Sequence, residues 1–158
     1  MARNADIIVA CLPNAEIVEQ VVSGPGGILE GCRKGQVFVD TTTNYPDSSV
    51  AVSKRLAAKG VAMLDAPVSG GNMGAEQGTL SIMCGGPRDA FERVMPVLQA
   101  MGKRITLMGE QVGTGGYAKL VNQIMVSIHL AGVAEAFVFA KKAGLDLKKL
   151  VPALEAGW

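Results

Sequence analysis

Gln36-Val-Phe-Val-Asp40, then Thr41-Thr-Thr-Asn-Tyr-Pro46, and after a gap Val61-Ala-Met-Leu-Asp65 carry the clearest architectural signal in this chain. Two short apolar runs, each closing on an aspartate, suit β-strands. Between them, residues from about Asp47 to Lys59 have helical character, and Gly60 is a natural stop. The same alternation extends in both directions. Asp6 to Leu12 is a continuous apolar run ended by Pro13, as expected of a strand covered on both faces of a parallel sheet. Residues 14–22 space Ile17, Val18, Val21 and Val22 as one helical face, and Ser23-Gly-Pro-Gly-Gly27 breaks it. Downstream, Leu80 to Cys84 reads as a fourth strand, Arg88 to Met101 as a helix and Arg104 to Met108 as a fifth strand. Strands alternating with helices of this length predict an α/β sheet with covered faces.

From Gly116 to about Ala143 the pattern changes to one long helix, roughly 42 Å at the usual rise per residue. Gly144 stops it, and Asp146-Leu-Lys-Lys opens another helix. Val121, Ile124, Met125, Ile128, Val133, Phe137 and Val138 lie around much of its circumference, so a single small sheet cannot cover it. The expectation is a helix buried against protein, with part of the covering layer outside this sequence. Its most apolar part, Ile124 to Ala140, contains Ser127, His129 and Glu135 and is shorter than a typical membrane span. The division predicted is 1–112 for the sheet domain and 113–158 for the beginning of a helical one.

At 158 residues the chain can bury one ordinary core, and 49% hydrophobic residues argue against disorder. Aromatics are only 4%, so Ala, Val, Leu, Ile and Met must build that core. Net charge is +1 with no dense basic patch, which gives no reason to expect nucleic acid or an anionic membrane as a partner. The three cysteines, Cys11, Cys32 and Cys84, lack Cys-x-x-Cys spacing and suggest a reducing, cytoplasmic setting. The N-terminal residues show no signal-peptide core and lead straight into a strand. A single histidine, His129, leaves a histidine metal cluster or a serine–histidine triad without support, and no metal is expected. The acidic residues show no paired spacing of the kind a carboxylate dyad would need.

Three groups of residues could carry chemistry. Lys119 is an amine in an apolar helix, where desolvation lowers its pKa and brings proton exchange nearer neutrality. Asn122, three residues on, leaves the same helix face. The plainer reading of Lys119 is an aliphatic stem lying on the surface with its head in water. Ser69, Gly70 and Gly71 follow a strand and offer a hydroxyl and unhindered backbone N–H groups to a small anion; the plainer reading is a tight turn. The strand-end loops at Leu12-Pro13 and Thr42-Thr43 offer small polar groups at a sheet edge where α/β proteins place ligands. Their plainer readings are a proline that starts a helix and a threonine that caps one.

Two of these segments, Asp65-Ala-Pro-Val-Ser-Gly-Gly71 with Gly78-Thr-Leu80 behind it, and Gly113-x-Gly115-x-x-x-Lys119-x-x-Asn122, resemble the β-hydroxyacid dehydrogenase family. The resemblance extends over essentially all of the chain but only about the middle half of a family member. It implies a partial Rossmann-like, doubly wound sheet followed by the start of an all-α domain with a long interdomain helix. It further implies an NAD(P)-dependent oxidoreductase that interconverts a small 3-hydroxy acid and its semialdehyde. Carried over by motif, Lys119 is the acid/base, and Ser69, Gly70, Gly71 and Asn122 hold the substrate. Leu12, Pro13 and Thr43 contact the nicotinamide cofactor. The family usually writes the threonine loop Ser-Thr; Thr42 here keeps the hydroxyl. The 6-phosphogluconate dehydrogenases carry a His-Asn pair after the lysine where this chain has Leu120-Val121-Asn122, and imine reductases usually lack the lysine. The family's pyrophosphate-binding glycine turn is not found, so NAD and NADP remain equal expectations and this chain alone is expected to be inactive. Family members form dimers, so a homo-oligomer is expected. The alternative is a non-catalytic dimerisation or binding remnant held by the long helix.

Overall fold

The computed structural model describes residues 2–156. They divide between Leu120 and Val121 into two compact units, which are treated separately below.

A six-stranded mixed sheet organises the first unit. Strands β1 (Ile7–Ala10), β2 (Val37–Asp40) and β3 (Ala62–Asp65) run parallel in that order. Two residues, Ala66 and Pro67, separate β3 from β4 (Val68–Ser69). One continuous antiparallel register ties both to β5 (Leu80–Gly85), through Asp65↔Gly85, Val68↔Ile82 and Ser69↔Ser81. β6 (Gly102–Gly109) then pairs parallel with β5. The α/β class is as expected, whereas β4 and the reversed direction of β5 were not legible. Val68-Ser69 is too short to show a period of its own.

The sheet is covered on both faces because β2 and β3 alternate. Val37, Val39 and Leu64 join Ile82, Cys84 and the helix α5 (Arg88–Met101) through Ala90, Val94 and Leu98. Phe38 and Met63 point to the other face and meet Val18 and Val22 of α1 (Ala15–Ser23), Ile28 of the short α2 (Ile28–Gly31), and Val52 and Leu56 of α3 (Pro46–Ala57). A side-chain period of two with apolar residues on both sides makes such strands fully buried. β1 departs from expectation. It forms one edge of the sheet, with Val9 exposed and Ile7 and Ile8 only partly covered. A continuous apolar run signals burial on both faces but cannot say whether a neighbouring strand lies alongside.

The helix α6 (Thr114–Lys142) is 29 residues long, and α7 (Leu147–Glu155) follows, with the Asp146 carboxylate accepting a hydrogen bond from the Lys148 N–H at 3.0 Å. Within the described residues the helix is largely uncovered, as expected if part of its covering layer lies outside this sequence. Val121, Ile124, Met125, Ile128, Leu130, Val133, Val138 and Phe139 are all exposed. The helix is also longer than the apolar core read from the sequence, and by length and composition it could cross a membrane. Core helices of soluble proteins meet the same criterion.

Candidate active site

The parallel register places Ala10, Asp40 and Asp65 side by side at the carboxyl ends of β1, β2 and β3. The loops leaving these three residues therefore emerge along one edge of the sheet, where α/β folds gather ligands. They are the three segments singled out in the sequence: Leu12-Pro13, Thr42-Thr43 and the run to Ser69-Gly70-Gly71.

The first two loops are tied together. The Leu12 N–H donates to the Thr42 hydroxyl at 3.0 Å, and the Thr41 hydroxyl donates to the Ala10 carbonyl at 2.8 Å. Asp40, buried beneath them, accepts from the Thr42 N–H at 3.0 Å and from the Asn44 side-chain amide at 3.4 Å. Thr42 is thus occupied inside the fold, while Thr43 and Pro13 are exposed at the surface. Neither plainer reading describes these loops. Asn14, not Pro13, caps α1, its side chain accepting from the Ile17 N–H at 2.9 Å. α3 begins at Pro46 behind Tyr45, without a threonine cap.

Asp65 organises the other half. Its Oδ1 accepts from the Gly113 N–H at 2.7 Å and its Oδ2 from the Gly116 N–H at 2.6 Å. The start of α6 is therefore held by a carboxylate from β3, which satisfies amides that a helix leaves without intrahelical partners. Gly115 allows the close approach. A β-carbon there would meet the Met83 carbonyl oxygen and lie 2.5 Å from the Asp65 carbonyl oxygen. Burial pushes the Asp65 carboxyl up to about 6 despite its hydrogen bonds, and the neighbouring Asp40 charge adds to the rise. Burial also raises Asp40 above its ordinary value. These two carboxylates are neighbours across β2 and β3 although 25 positions separate them in the chain, which is why residue spacing gave no sign of the pair.

Lys119 is buried, with 7% of its surface exposed, and desolvation lowers its pKa. The surface-lying alternative for this residue is not what the structure displays. Gly116, one turn earlier on the same face, turns toward the Pro46 ring and the Asn44 carbonyl, which a β-carbon would approach to 3.3 and 3.7 Å. Residues three apart share a face, so Lys119 leaves α6 on the side of the 41–46 loop. Asn122 is on the same helix but belongs to the second unit.

Ser69 is half-buried in its pairing with Ser81, and Gly70 and Gly71 are exposed. Sequence reading missed the short helix α4 (Gly71–Glu76), in which five small or polar residues hide any apolar period. Gly70 has φ +136°, and a β-carbon there would lie 3.1 Å from the Leu80 side chain. Its glycine is required by the fold itself, independently of any ligand. Cys84 is a core residue whose thiol is pushed up to about 12, by burial first and the Asp65 charge second. Among the described residues no group of three or more His, Cys, Asp or Glu side chains could hold a metal ion.

Residues 1–109 match the family described as the NAD binding domain of 6-phosphogluconate dehydrogenase. Residues 113–158 match the NAD-binding domain of NADP-dependent 3-hydroxyisobutyrate dehydrogenase. The chain is 46% identical to 2-(hydroxymethyl)glutarate dehydrogenase of Eubacterium barkeri, over 92% of this chain and 48% of that protein. It is 41% identical to 2-hydroxy-3-oxopropionate reductase of Escherichia coli, over 98% of this chain and 52% of that one. Among solved structures, 3-hydroxyisobutyrate dehydrogenase from Salmonella typhimurium superposes with a TM-score of 0.90 at 30% identity, covering 98% of this chain and 54% of that one. The chain spans about half the length of the curated relatives it matches.

Proposed function

The chain belongs to the β-hydroxyacid dehydrogenase family, and we propose that it supplies the acid/base and carboxylate-holding half of an NAD(P)-dependent 3-hydroxyacid dehydrogenase. The carrying observation is the burial of Lys119 on a helix whose start is seated on the end of β3, beside the loop after β2 that contains Thr43. A depressed lysine has a larger neutral fraction near physiological pH, which is what a general base needs. In the oxidative direction the neutral Nζ of Lys119 takes the hydroxyl proton of the substrate. In the reductive direction the ammonium returns it to the carbonyl oxygen.

A nicotinamide cofactor, when bound, supplies the hydride acceptor or donor for this exchange. The residues fit such a group at the sheet edge, where Pro13 and the Thr43 hydroxyl are solvent-open and Thr42 fixes their loops together. Leu12, Pro13 and Thr43 would hold it. Ser69, Gly70 and Gly71 would receive the substrate carboxylate, using the serine hydroxyl and the first-turn N–H groups of α4. The substrate is a small 3-hydroxy acid or its semialdehyde, and the setting is the cytoplasm. The exposed apolar surface of α6 favours a second reading, in which the chain is a non-catalytic association module of such an enzyme.

A chimera decides between the two readings. This chain replaces the matched half of the Escherichia coli reductase, and turnover of a semialdehyde with NADH and NADPH is measured. Lys119→Ala in the chimera should lower kcat by about 10²–10⁴-fold, the scale of a positioned acid/base, with little change in cofactor affinity. An alanine variant that turns over at the parental rate removes Lys119 from the mechanism.

A further inference from the structure

We propose that Asp65 is the positioning residue for Lys119: its carboxylate ties the helix that carries the lysine to the strand that leads into the Ser69-Gly70-Gly71 loop. This inference rests on the reading of Lys119 as the acid/base. The argument begins with the start of α6. A helix is ordinarily capped by a side chain just before it, yet the residue at that place is Gly113, which has none. The Thr114 hydroxyl does not substitute, because it donates to the Gln111 and Gly109 carbonyls at 2.8 and 3.2 Å. The acceptor for the Gly116 N–H comes instead from 51 residues upstream.

The chemistry requires a carboxylate. Two N–H donors, on Gly113 and Gly116, converge on one side chain, and each needs its own acceptor oxygen. Asparagine would present one oxygen and one NH₂ group, setting donor against donor. The arrangement is also held against a cost. Asp65 is 2% exposed, stands beside Asp40 in register, and its ionised form is disfavoured by burial. A side chain selected for stability alone would not be a buried anion next to another acid. What the anion achieves is a fixed first turn, from which Lys119 departs one turn later on the face that Gly116 turns toward Asn44 and Pro46. Four residues beyond Asp65 the same strand run reaches Ser69. One carboxylate thereby joins both groups that would grip and deprotonate a hydroxy acid.

The ionisable groups facing Asp65 are Asp40 on β2 and the Cys84 thiol on β5. Protonation of Asp65 removes the negative charge that strengthens both N–H contacts and loosens the first turn of α6.

Competitive acylation of lysines in the 158-residue chain, read by mass spectrometry across pH, gives the Lys119 pKa without any turnover assay. In the parent it lies below that of the exposed lysines. Asp65→Ala should raise it toward the ordinary lysine value as the helix start detaches and the amine is solvated, while residues 37–40 keep their hydrogen-exchange protection. A through-space charge effect alone would move the lysine the opposite way, since removing a nearby anion disfavours the ammonium. A fall, or no change, overturns the proposal. Should the variant lose the protection of 37–40, the parent chain still decides. On lowering the pH from 7.5 to 5, exchange of residues 113–119, corrected for its intrinsic rate, should accelerate by ~10-fold, the scale of one charged hydrogen bond, while core residues 37–40 slow or hold as the protonated Asp65 stabilises the fold. Exchange at 113–119 that slows or holds steady overturns the proposal. Because neither readout uses catalysis, failure here leaves Lys119 in place. A fully active Lys119→Ala chimera would remove the lysine without altering the Asp65 contacts.

Discussion

Gly115→Ala and Gly132→Ala make the same chemical change in the same helix and should have opposite effects. At Gly115 the added methyl would lie 2.5 Å from the Asp65 carbonyl oxygen and 2.9 Å from the Gly85 amide nitrogen. Both are backbone atoms of central strands, so neither can swing aside, and the helix itself must retreat by about 1 Å to restore ordinary contact. Overpacking of this kind costs about 1–3 kcal/mol. Retreat also lengthens the bonds from Gly113 and Gly116 to Asp65, whose loss is worth about 1.5–3 kcal/mol for a charged acceptor. The better helix propensity of alanine returns about 1 kcal/mol. The net expectation is a loss of roughly 3 kcal/mol, a large share of the ~5–15 kcal/mol that holds a typical domain together. At Gly132 nothing lies within 4 Å of the added carbon, so only the propensity gain of about 1 kcal/mol remains. Urea denaturation followed by helical circular dichroism, at dilute protein, measures both. If Gly115→Ala proves as stable as the parent, α6 does not pack against the ends of β3 and β5 as described.

Ser69→Ala in the chimera should weaken use of a hydroxy acid more than of its amide analogue, because the change removes one hydroxyl and adds no bulk at a half-buried site; equal losses on acid and amide would remove carboxylate recognition from this loop. Gly70→Val is a poor probe, since the clash with Leu80 and the positive φ would unfold the turn regardless of ligand. Asp65 should make stability fall with rising pH: its folded pKa of about 6 lies above the unfolded 3.8, so the folded chain holds more protons between those values, and the group contributes about 3 kcal/mol below pH 4 that is lost by pH 7. Asp65→Asn should remove that component from the difference between urea midpoints at pH 4.5 and 7, and parallel parent and variant profiles would contradict the raised pKa. The chain alone should be catalytically silent and should sediment at micromolar concentration as more than a monomer, through α6, with Ile124→Glu and Phe139→Glu shifting it toward the monomer. A clean monomer that reduces a semialdehyde with NADPH would refute both parts.

The elements with a strong local period were legible before any coordinates. α5 fell on residues 88–101 as read, and β2 and β3 lie within the runs that closed on Asp40 and Asp65. The misses share a cause, in that each depends on what another part of the molecule does. β4 exists only because β5 turns back along it, α4 carries no apolar face, and the edge position of β1 is fixed by the absence of a neighbour beyond it in the described sheet. The burial of α6 was inferred from its composition. Composition states what a helix would prefer, and its exposed Ile124 and Phe139 fit the reading that part of its covering layer lies outside this sequence.

The candidate site divides along the same line. Lys119, Ser69 and the two strand-end loops could be picked out because each sits in a short motif. Asp65 opened one of those motifs and still went unassigned, since its partners Gly113 and Gly116 are 48 and 51 residues away and offer only backbone N–H groups. A backbone donor leaves no trace in a sequence pattern. The glycines do leave one, because Gly115 excludes a side chain where the helix meets the strands. A close run of glycines ahead of a buried lysine therefore records a docking surface for helix on sheet, as much as any site for a ligand. In this chain the glycines let α6 approach, the Asp65 carboxylate holds it there, and the buried lysine follows one turn on.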